Sequence, residues 1–349
     1  MTQEAFDNQE LTPNGYQLLR HVGEFVRSQT QPAIDPCASP VYIVADASTR
    51  DVQSAEAFAQ GYFPAECAGR VPVAEVAAGS ALEAAANDHV SVGGCFAPDE
   101  EVAEQQFGGN FGALDELYRP QLQRLTALLG CCSAEACAHY ALPPNCSLEQ
   151  LPWQYNGVYF NGYYSGPLQV GGALSEALLL QAASGVSPVA WGEVDEPELI
   201  ELYELHERVM WFGSNLNASR SYGSSGLAYA LTSLEQLVTG VAYAGVEQPV
   251  GASLLLAIFA HDFNLLYMRK LLRVQWLTPS WPFNAASTGA HIAFELWRTS
   301  AEGAKPEDAY EVVARYVAAN LTQQGSNLPL TPPHAPPGTS ELLREPCAT

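Results

Sequence analysis

The chain has 349 residues, 48% apolar and 15% charged, enough to bury a large core as one two-lobed unit or two domains, and this excludes disorder, collagen and coiled coil. Acids outnumber bases 38 to 15 for a formal charge of -23, and the only lysines are Lys270 and Lys305, which argues against nucleic acid or an anionic membrane surface as partner. Small or cationic partners are expected, and a phosphate ligand would need a local basic pocket built from few arginines.

The start, Met1 to Asn14, is polar and acidic and has no charged, apolar and cleavage regions of a secretion signal. Thr12 before Pro13 predicts a helix start, since the hydroxyl can cap and proline suits the first turn. Leu18, Leu19, Val22, Phe25 and Val26 then share one helical face. Residues 41 to 45, Val-Tyr-Ile-Val-Ala, form the short apolar run of a buried strand, with a turn over Asp46 to Asp51 and a helix over Ala55 to Gly61. From about 72 to 235 the chain reads as a largely helical lobe, with helices over Leu114 to Leu129, Gly172 to Ala183 and Pro197 to Phe212. Ala252 to Ala260, the richest apolar run, is a second buried strand and too short to span a bilayer. It leads through a turn at His261 to Asn264 into a helix over Leu265 to Leu272. His291 to Trp297 is a further strand, Pro306 to Thr322 is strand or helix, and Pro329 to Pro337 reads as extended coil. The expected fold class is α/β, a sheet flanked by helices with a mostly α-helical second lobe inserted: 1–95 and 235–349 form the α/β domain and 96–234 the helical lobe.

Eight cysteines (Cys37, Cys67, Cys95, Cys131, Cys132, Cys137, Cys146 and Cys347) without paired CxxC spacing point to four disulfides in an oxidising compartment rather than to a metal site. Sequons at Asn145, Asn217 and Asn320 fit that compartment and add little.

In open α/β sheets ligands bind beyond the carboxyl ends of strands, where helix N-termini present unpaired N–H groups to anions. Two such turns follow from this pattern: Ala45-Asp46-Ala47-Ser48-Thr49-Arg50 and Phe259-Ala260-His261-Asp262-Phe263-Asn264. A cationic His can bind a phosphoryl oxygen and a neighbouring Asp can protonate a departing alkoxide, so the second turn suits phosphoryl chemistry. Other constellations fail. Leu205-His206-Glu207 lacks the second histidine of a zinc helix, Gly223-Ser224-Ser225-Gly226 is not a nucleophile elbow, and Gly108-Gly109-Asn110-Phe111-Gly112 lacks a phosphate-loop lysine; these read as loops and caps. Arg20-His21-Val22-Gly23 has a residue inserted before the glycine of an Arg-His-Gly signature and lies inside the first helix, so it reads as helix surface.

In order along the chain, several segments resemble the histidine acid phosphatase family, branch two of the histidine phosphatase superfamily, and within it the bacterial phytase and glucose-1-phosphatase group. Leu11-Thr12-Pro13-Asn14-Gly15 to Leu18 resembles its LTPxGxxxL helix start, and Ala45-Asp46 through Arg50 to Glu56-Ala57-Phe58 its AD…R…GEAF segment. Glu176 to Gln181 with Trp191-Gly192, followed by Leu205-His206, resembles its helical-lobe pattern. His261-Asp262-Phe263-Asn264 resembles HDTN with Phe263 in place of threonine, and Phe294 to Arg298 resembles FERW. The resemblance implies a phosphohistidine mechanism acting on a small phosphate ester without cofactor or metal, in a periplasmic or extracellular setting. It assigns Arg50 as a phosphate-clamping arginine, His261 as a phosphate-binding histidine and Asp262 as general acid, with Glu176, His206 and Arg220 facing the substrate from the helical lobe. It also implies bridges Cys37–Cys67 and Cys95–Cys347, with Cys146 paired to Cys131 or Cys132.

The departure is the absence of RHGxRxP, the motif of the family's attacking histidine, from all 349 residues. A chain that begins partway into a longer exported enzyme is expected, inactive because the covalent route lacks its nucleophile; loss of a central strand would also leave sheet edges unpaired. The alternatives are a non-catalytic secreted binding protein on the same fold and, more remotely, a carbohydrate-binding or structural glycoprotein.

Overall fold

The computed structural model describes residues 10–69, 73–75, 80, 83–87, 104–105, 109–110, 112–152, 154–155, 164–246, 254–299 and 309–344. Helix α1 (Pro13–Thr30) starts where the sequence places it, with the Thr12 side chain accepting from the Gly15 N–H. It buries Leu18, Leu19, Val22 and Phe25, each worth about 1.5–3 kcal/mol when removed from water. Strand β1 (Val41–Ala45) leads into α2 (Thr49–Tyr62). That helix begins six residues before the expected Ala55, so Thr49, Arg50 and Asp51 are its first turn rather than part of a loop. Ser48 sits at its N-cap.

Helices α1 and α2 cross with nothing but backbone between them. A methyl on Gly23 would lie 2.2 Å from the Phe58 carbonyl oxygen, and one on Gly61 would lie 1.8 Å from that of Arg20. The Arg20-His21-Val22-Gly23 segment is helical as expected, but it is not all surface. Gly23 fills the crossing, and His21 is buried with Nδ1 3.0 Å from Glu24 Oε2.

In the helical lobe the expected Leu114–Leu129 helix is broken at Tyr118. Pro120 lacks an N–H and clashes with the preceding turn, so the chain restarts as α3 (Arg119–Leu129), with proline in its first turn. Then follow α4 (Ala134–His139), α5 (Pro167–Ala183), α6 (Glu196–Gly213), a π-helical turn over Ser219–Gly223 and α7 (Ser224–Thr239). Gly223-Ser224-Ser225-Gly226 is therefore helical, not a loop, and Gly223 packs against the Tyr267 side chain. Helices α5 and α6 also meet through glycine: a Cβ on Gly172 would lie 3.2 Å from the His206 Cα.

Short β2 (Ala74–Glu75), β1 and β3 (Leu255–Phe259) form a parallel sheet in the order β2-β1-β3. Helix α8 (Asp262–Leu272) starts at once after His261, so the expected four-residue turn is shorter by three. Strand β4 (His291–Arg298) pairs antiparallel with β5 (Tyr310–Ala318), and β5 with β6 (Gly338–Glu341). The segment expected as strand or helix is strand first and then α9 (Leu321–Gly325), capped by Asn320. The α/β class with a helical lobe holds, its strands lying in separate sheets among the described residues.

Two apolar clusters support the site. One joins α1, β1 and α2 through residues such as Phe25, Ile43, Ala55 and Phe58. The other starts in the helical lobe at Leu122, Leu178 and Leu205 and runs on into Phe263, Leu266 and Tyr267 of α8 and Trp276 and Tyr316, the last two rings stacked 4.5 Å apart. This continuity seats α8 against α6, which places the second strand-to-helix turn between sheet and lobe.

Cys37 and Cys67 are bonded as the resemblance implied, and the pair Cys95–Cys347 lies outside the described residues. Cys146 bonds neither Cys131 nor Cys132 but Cys137. The physical reason is local: Leu142 N–H donates to the Cys137 carbonyl at 2.9 Å and Cys146 N–H to that of Pro143 at 3.0 Å, folding the chain after α4 back until the two Cα atoms are 5.8 Å apart, within disulfide range. In the loop-entropy model the wider Cys37–Cys67 loop is worth roughly 3–4 kcal/mol and the narrow one about 2.5 kcal/mol.

Candidate active site

The site follows from register. Strands β1 and β3 run parallel with Ala45 opposite Phe259, so their carboxyl ends coincide, and the Asp46 N–H donates to the Phe259 carbonyl at 3.0 Å. The next residue of each strand-to-helix turn must therefore meet its counterpart. His261 Nε2 lies 3.1 Å from Asp46 Oδ2 and 3.4 Å from Asp51 Oδ2. Both carboxylates are buried. Asp46 also accepts the Ala47 N–H through Oδ1 at 2.8 Å, and the Ser48 hydroxyl donates to Asp51.

On the second turn the His261 N–H donates to Asn264 Oδ1 at 3.0 Å, and Asn264 is itself buried with Nδ2 3.4 Å from the Ala85 carbonyl. This side-chain-to-backbone lock is an N-terminal capping arrangement. Asp262, the first residue of α8, accepts the Phe263 N–H through Oδ1 at 2.8 Å. Phe263, where the resemblance has threonine, points away from the turn into the core: it is 3% exposed and stacks on Tyr267 with ring centroids 5.6 Å apart. It leaves no room for a Cβ at Gly213 of α6.

The helical lobe supplies a facing wall. Glu176 Oε2 on α5 lies 3.4 Å from His206 Nδ1 on α6, and the His206 ring stacks on Tyr203 at 5.1 Å. Burial pushes Glu176 up to about 7, helped by the negative Asp262 and opposed by Arg50. Burial alone pulls His206 down to about 4. The two shifts run opposite to those of an ion pair, so between those values Glu176 is protonated, His206 is neutral, and the contact is not an ion pair. Glu207 is pushed up to about 8, by burial first, although it accepts from the Tyr203 hydroxyl and the Ala286 N–H and feels Arg269; Asp262 raises it further.

Of the residues singled out from the sequence, His261 and Asp262 sit side by side at the strand end, and Glu176, within electrostatic reach of Asp262, faces His206. Arg50 is exposed at the start of α2, and its charge reaches Glu176. Arg220 is exposed in the π-helical turn. Sequence reasoning missed Asp46, Asp51 and Glu207. The first two lay in a turn already marked, and the strand register was the signal that pairs them with His261. Glu207 was visible only within a rejected zinc motif. One ligand atom from each of Asp46, Asp51 and His261 lies within 4.8 Å of the other two. Such a spacing could bridge a cation, but here the groups bind one another.

Against known proteins, no protein-family model matches the chain. It is similar to phytase AppA of Escherichia coli (strain K12), 25% identical across 97% of this chain and 78% of that protein. Its structure superposes on the phytase of Citrobacter braakii with a TM-score of 0.76, 24% identity, and coverage of 98% of this chain and 83% of that one. For a Hafnia alvei phytase in complex with myo-inositol hexakis sulphate the TM-score is 0.73, at 21% identity, with 96% and 81% covered. The resemblance to histidine acid phosphatases is borne out to this extent: bacterial phytases are homologues of the chain, and it shares their fold.

Proposed function

We propose that this chain carries the phosphate-binding and proton-donating part of a phosphomonoesterase of the histidine acid phosphatase type, acting on small phosphate esters in a periplasmic or extracellular setting. The observation that supports it is the parallel register that sets His261 and Asp262 at one sheet edge beside the first turn of α2. In this reading His261 contacts a phosphoryl oxygen and Arg50, free to swing at the helix start, supplies a bidentate guanidinium. Asp262 protonates the leaving oxygen, while Glu176 and His206 form the wall on the leaving-group side. Arg220 is given no role. The Hafnia alvei phytase holds a ring bearing many anionic groups. Here the carboxylates of Asp46 and Asp51 stand against His261 with Asp262 next to it in the turn, which favours esters with fewer phosphates.

No RHGxRxP stands in the 349 residues, so no imidazole is assigned to attack phosphorus, and positioning alone leaves only direct attack by water. A second reading, a secreted binding protein on the same fold, is favoured by the engagement of His261 Nε2 with two carboxylates. Hydrolysis of p-nitrophenyl phosphate separates the two. This chain should turn over no faster than buffer at acid pH, and a form joined upstream of Leu11 to an RHGxRxP-bearing segment should be active. In that form Asp262→Asn should slow an alkyl phosphate more than p-nitrophenyl phosphate, whose leaving group needs less protonation. Turnover by the 349-residue chain that His261→Ala abolishes would refute the missing-nucleophile reading, and a folded but inert extended form would favour the binding protein.

A further inference from the structure

Cys131 and Cys132 are the two free cysteines among the described residues, and they occupy the turn between α3 and α4. Gly130 ends α3 in the left-handed conformation at φ 61. Beyond it both cysteine backbones are pinned: Cys131 N–H donates to the Thr126 carbonyl at 3.0 Å, and Cys132 N–H to the Cys146 carbonyl at 3.0 Å. With the main chain so held, the two Sγ atoms come to rest 3.2 Å apart, about 1 Å beyond the length of a sulfur–sulfur bond. Both side chains are half-exposed, whereas the neighbouring bonded pair is closed to solvent, Cys137 at 0% and Cys146 at 2% exposure. An adjacent pair of thiols in contact, reachable from solvent beside an inaccessible disulfide, is arranged for exchange with an external disulfide rather than with its neighbour.

We propose that Cys131 and Cys132 are a modification site, oxidised by a small disulfide of the glutathione class to a vicinal disulfide closed across their shared peptide bond. The Cys132 thiolate attacks one sulfur of oxidised glutathione and expels the other half as a thiolate, leaving a mixed disulfide on Cys132. Cys131 then loses its proton and attacks the Cys132 sulfur, expelling the second glutathione thiolate. Two protein thiols give up two electrons, the small disulfide is reduced to two thiols, and the two protons end on them. The order follows from the contact between the two sulfurs, in which the Cys131 S–H is directed at Cys132 Sγ. Burial and that same contact push the Cys131 thiol up to about 12, which makes it the poorer first attacker. The ring encloses almost no chain, so it adds little loop entropy; its character is that of a reversible two-electron mark on the turn.

Peptide mapping without reductant tests this. The folded protein is incubated with oxidised glutathione, denatured in N-ethylmaleimide and cleaved after glutamate. Cleavage at Glu116, Glu135 and Glu149 parts fragment 117–135, which holds Cys131 and Cys132, from fragment 136–149, which holds Cys137 and Cys146. The expected result is two unlinked fragments, with 117–135 free of maleimide and about 2 Da below its reduced mass. Two maleimides on 117–135, a retained glutathione, or a link between the fragments would overturn the proposal. Cys131→Ser should trap glutathione on Cys132, and Cys132→Ser should leave Cys131 unmodified over the same time; the reverse pattern would overturn the order of attack.

Discussion

The two strand-to-helix turns use one backbone device to aim different chemistry. After β1 the turn is anionic and loosely tied: Ser48 caps α2 without a bond from its side chain to a backbone N–H, and its hydroxyl serves Asp51 instead. After β3 the turn is tied by Asn264 to its own backbone and to Ala85, and it presents an imidazole and a carboxyl in sequence. The rigid turn carries His261 and Asp262, the histidine and acid proposed to do chemistry, and the looser one supplies Arg50 and the carboxylates that hold His261 in place. Position at a strand end thus marks where a functional group will sit, and the capping bonds show how firmly.

The sharpest way to break this division is His261→Ala. It leaves the buried Asp46 and Asp51 facing each other with only the Ala47 N–H and the Ser48 hydroxyl as donors, and removing one member of a buried pair costs about 3 kcal/mol or more. Chemical denaturation near neutral pH should show that loss, and it should shrink when Asp51→Asn is added. An unchanged midpoint would mean that the carboxylates do not depend on the imidazole. Next in size, Asn264→Ala should destabilise by about 1–2 kcal/mol, since it strands the His261 N–H. An unchanged midpoint would erase the distinction between tied and loose turns.

The smallest effect at any one pH concerns the wall opposite. Glu176 and Glu207 have folded values raised from 4.5 to about 7 and about 8, so the stability they contribute is full below about 4.5 and is lost as pH rises through 7 and 8. His206 and half-buried His291 have values lowered from 6.5 to about 4. Their stability is full above 6.5 and is lost as pH falls through 4. Between 4.5 and 6.5 the two pairs oppose each other, so the melting temperature should run flat there and decline on both sides. Glu207→Gln should flatten the decline between about pH 7 and 8 and make the 4.5–6.5 stretch rise with pH, because Glu176 alone then opposes the two histidines; a profile still falling equally above pH 7 would remove Glu207 from that account.

Much of this architecture was legible in local sequence. Thr12-Pro13 fixed a helix start, and the apolar runs at 41–45 and 252–260 marked the paired strands, the second of them shorter, Leu255–Phe259, and half-buried rather than buried, because caps and apolar runs are written in neighbouring residues. Relations between distant segments were harder to read. His261 meets Asp51 only through the register of strands more than 200 residues apart in sequence, and no local pattern encodes register. The pairing of Cys146 failed for the opposite reason: a resemblance assigned a bridge that the short fold-back after Cys137 decides. Phe263 looked like a departure within a functional motif and proves to be a core residue, since the position after the acid turns inward as α8 begins.

The glycine crossing of α1 and α2 inverts a common rule of protein engineering. Replacing a helical glycine with alanine ordinarily raises stability by roughly 0.5–1 kcal/mol, because the unfolded chain loses freedom. At Gly23 and Gly61 the added methyl meets a carbonyl of the other helix at 2.2 Å and 1.8 Å, atoms that cannot rotate out of the way. The only relief is to move α2 as a rigid rod, and the other end of that rod carries Asp51. A substitution chosen to firm up the back of the molecule would therefore shift a partner of His261, and a screen for thermostability that favours helix formers at these two positions would select against the site without touching it.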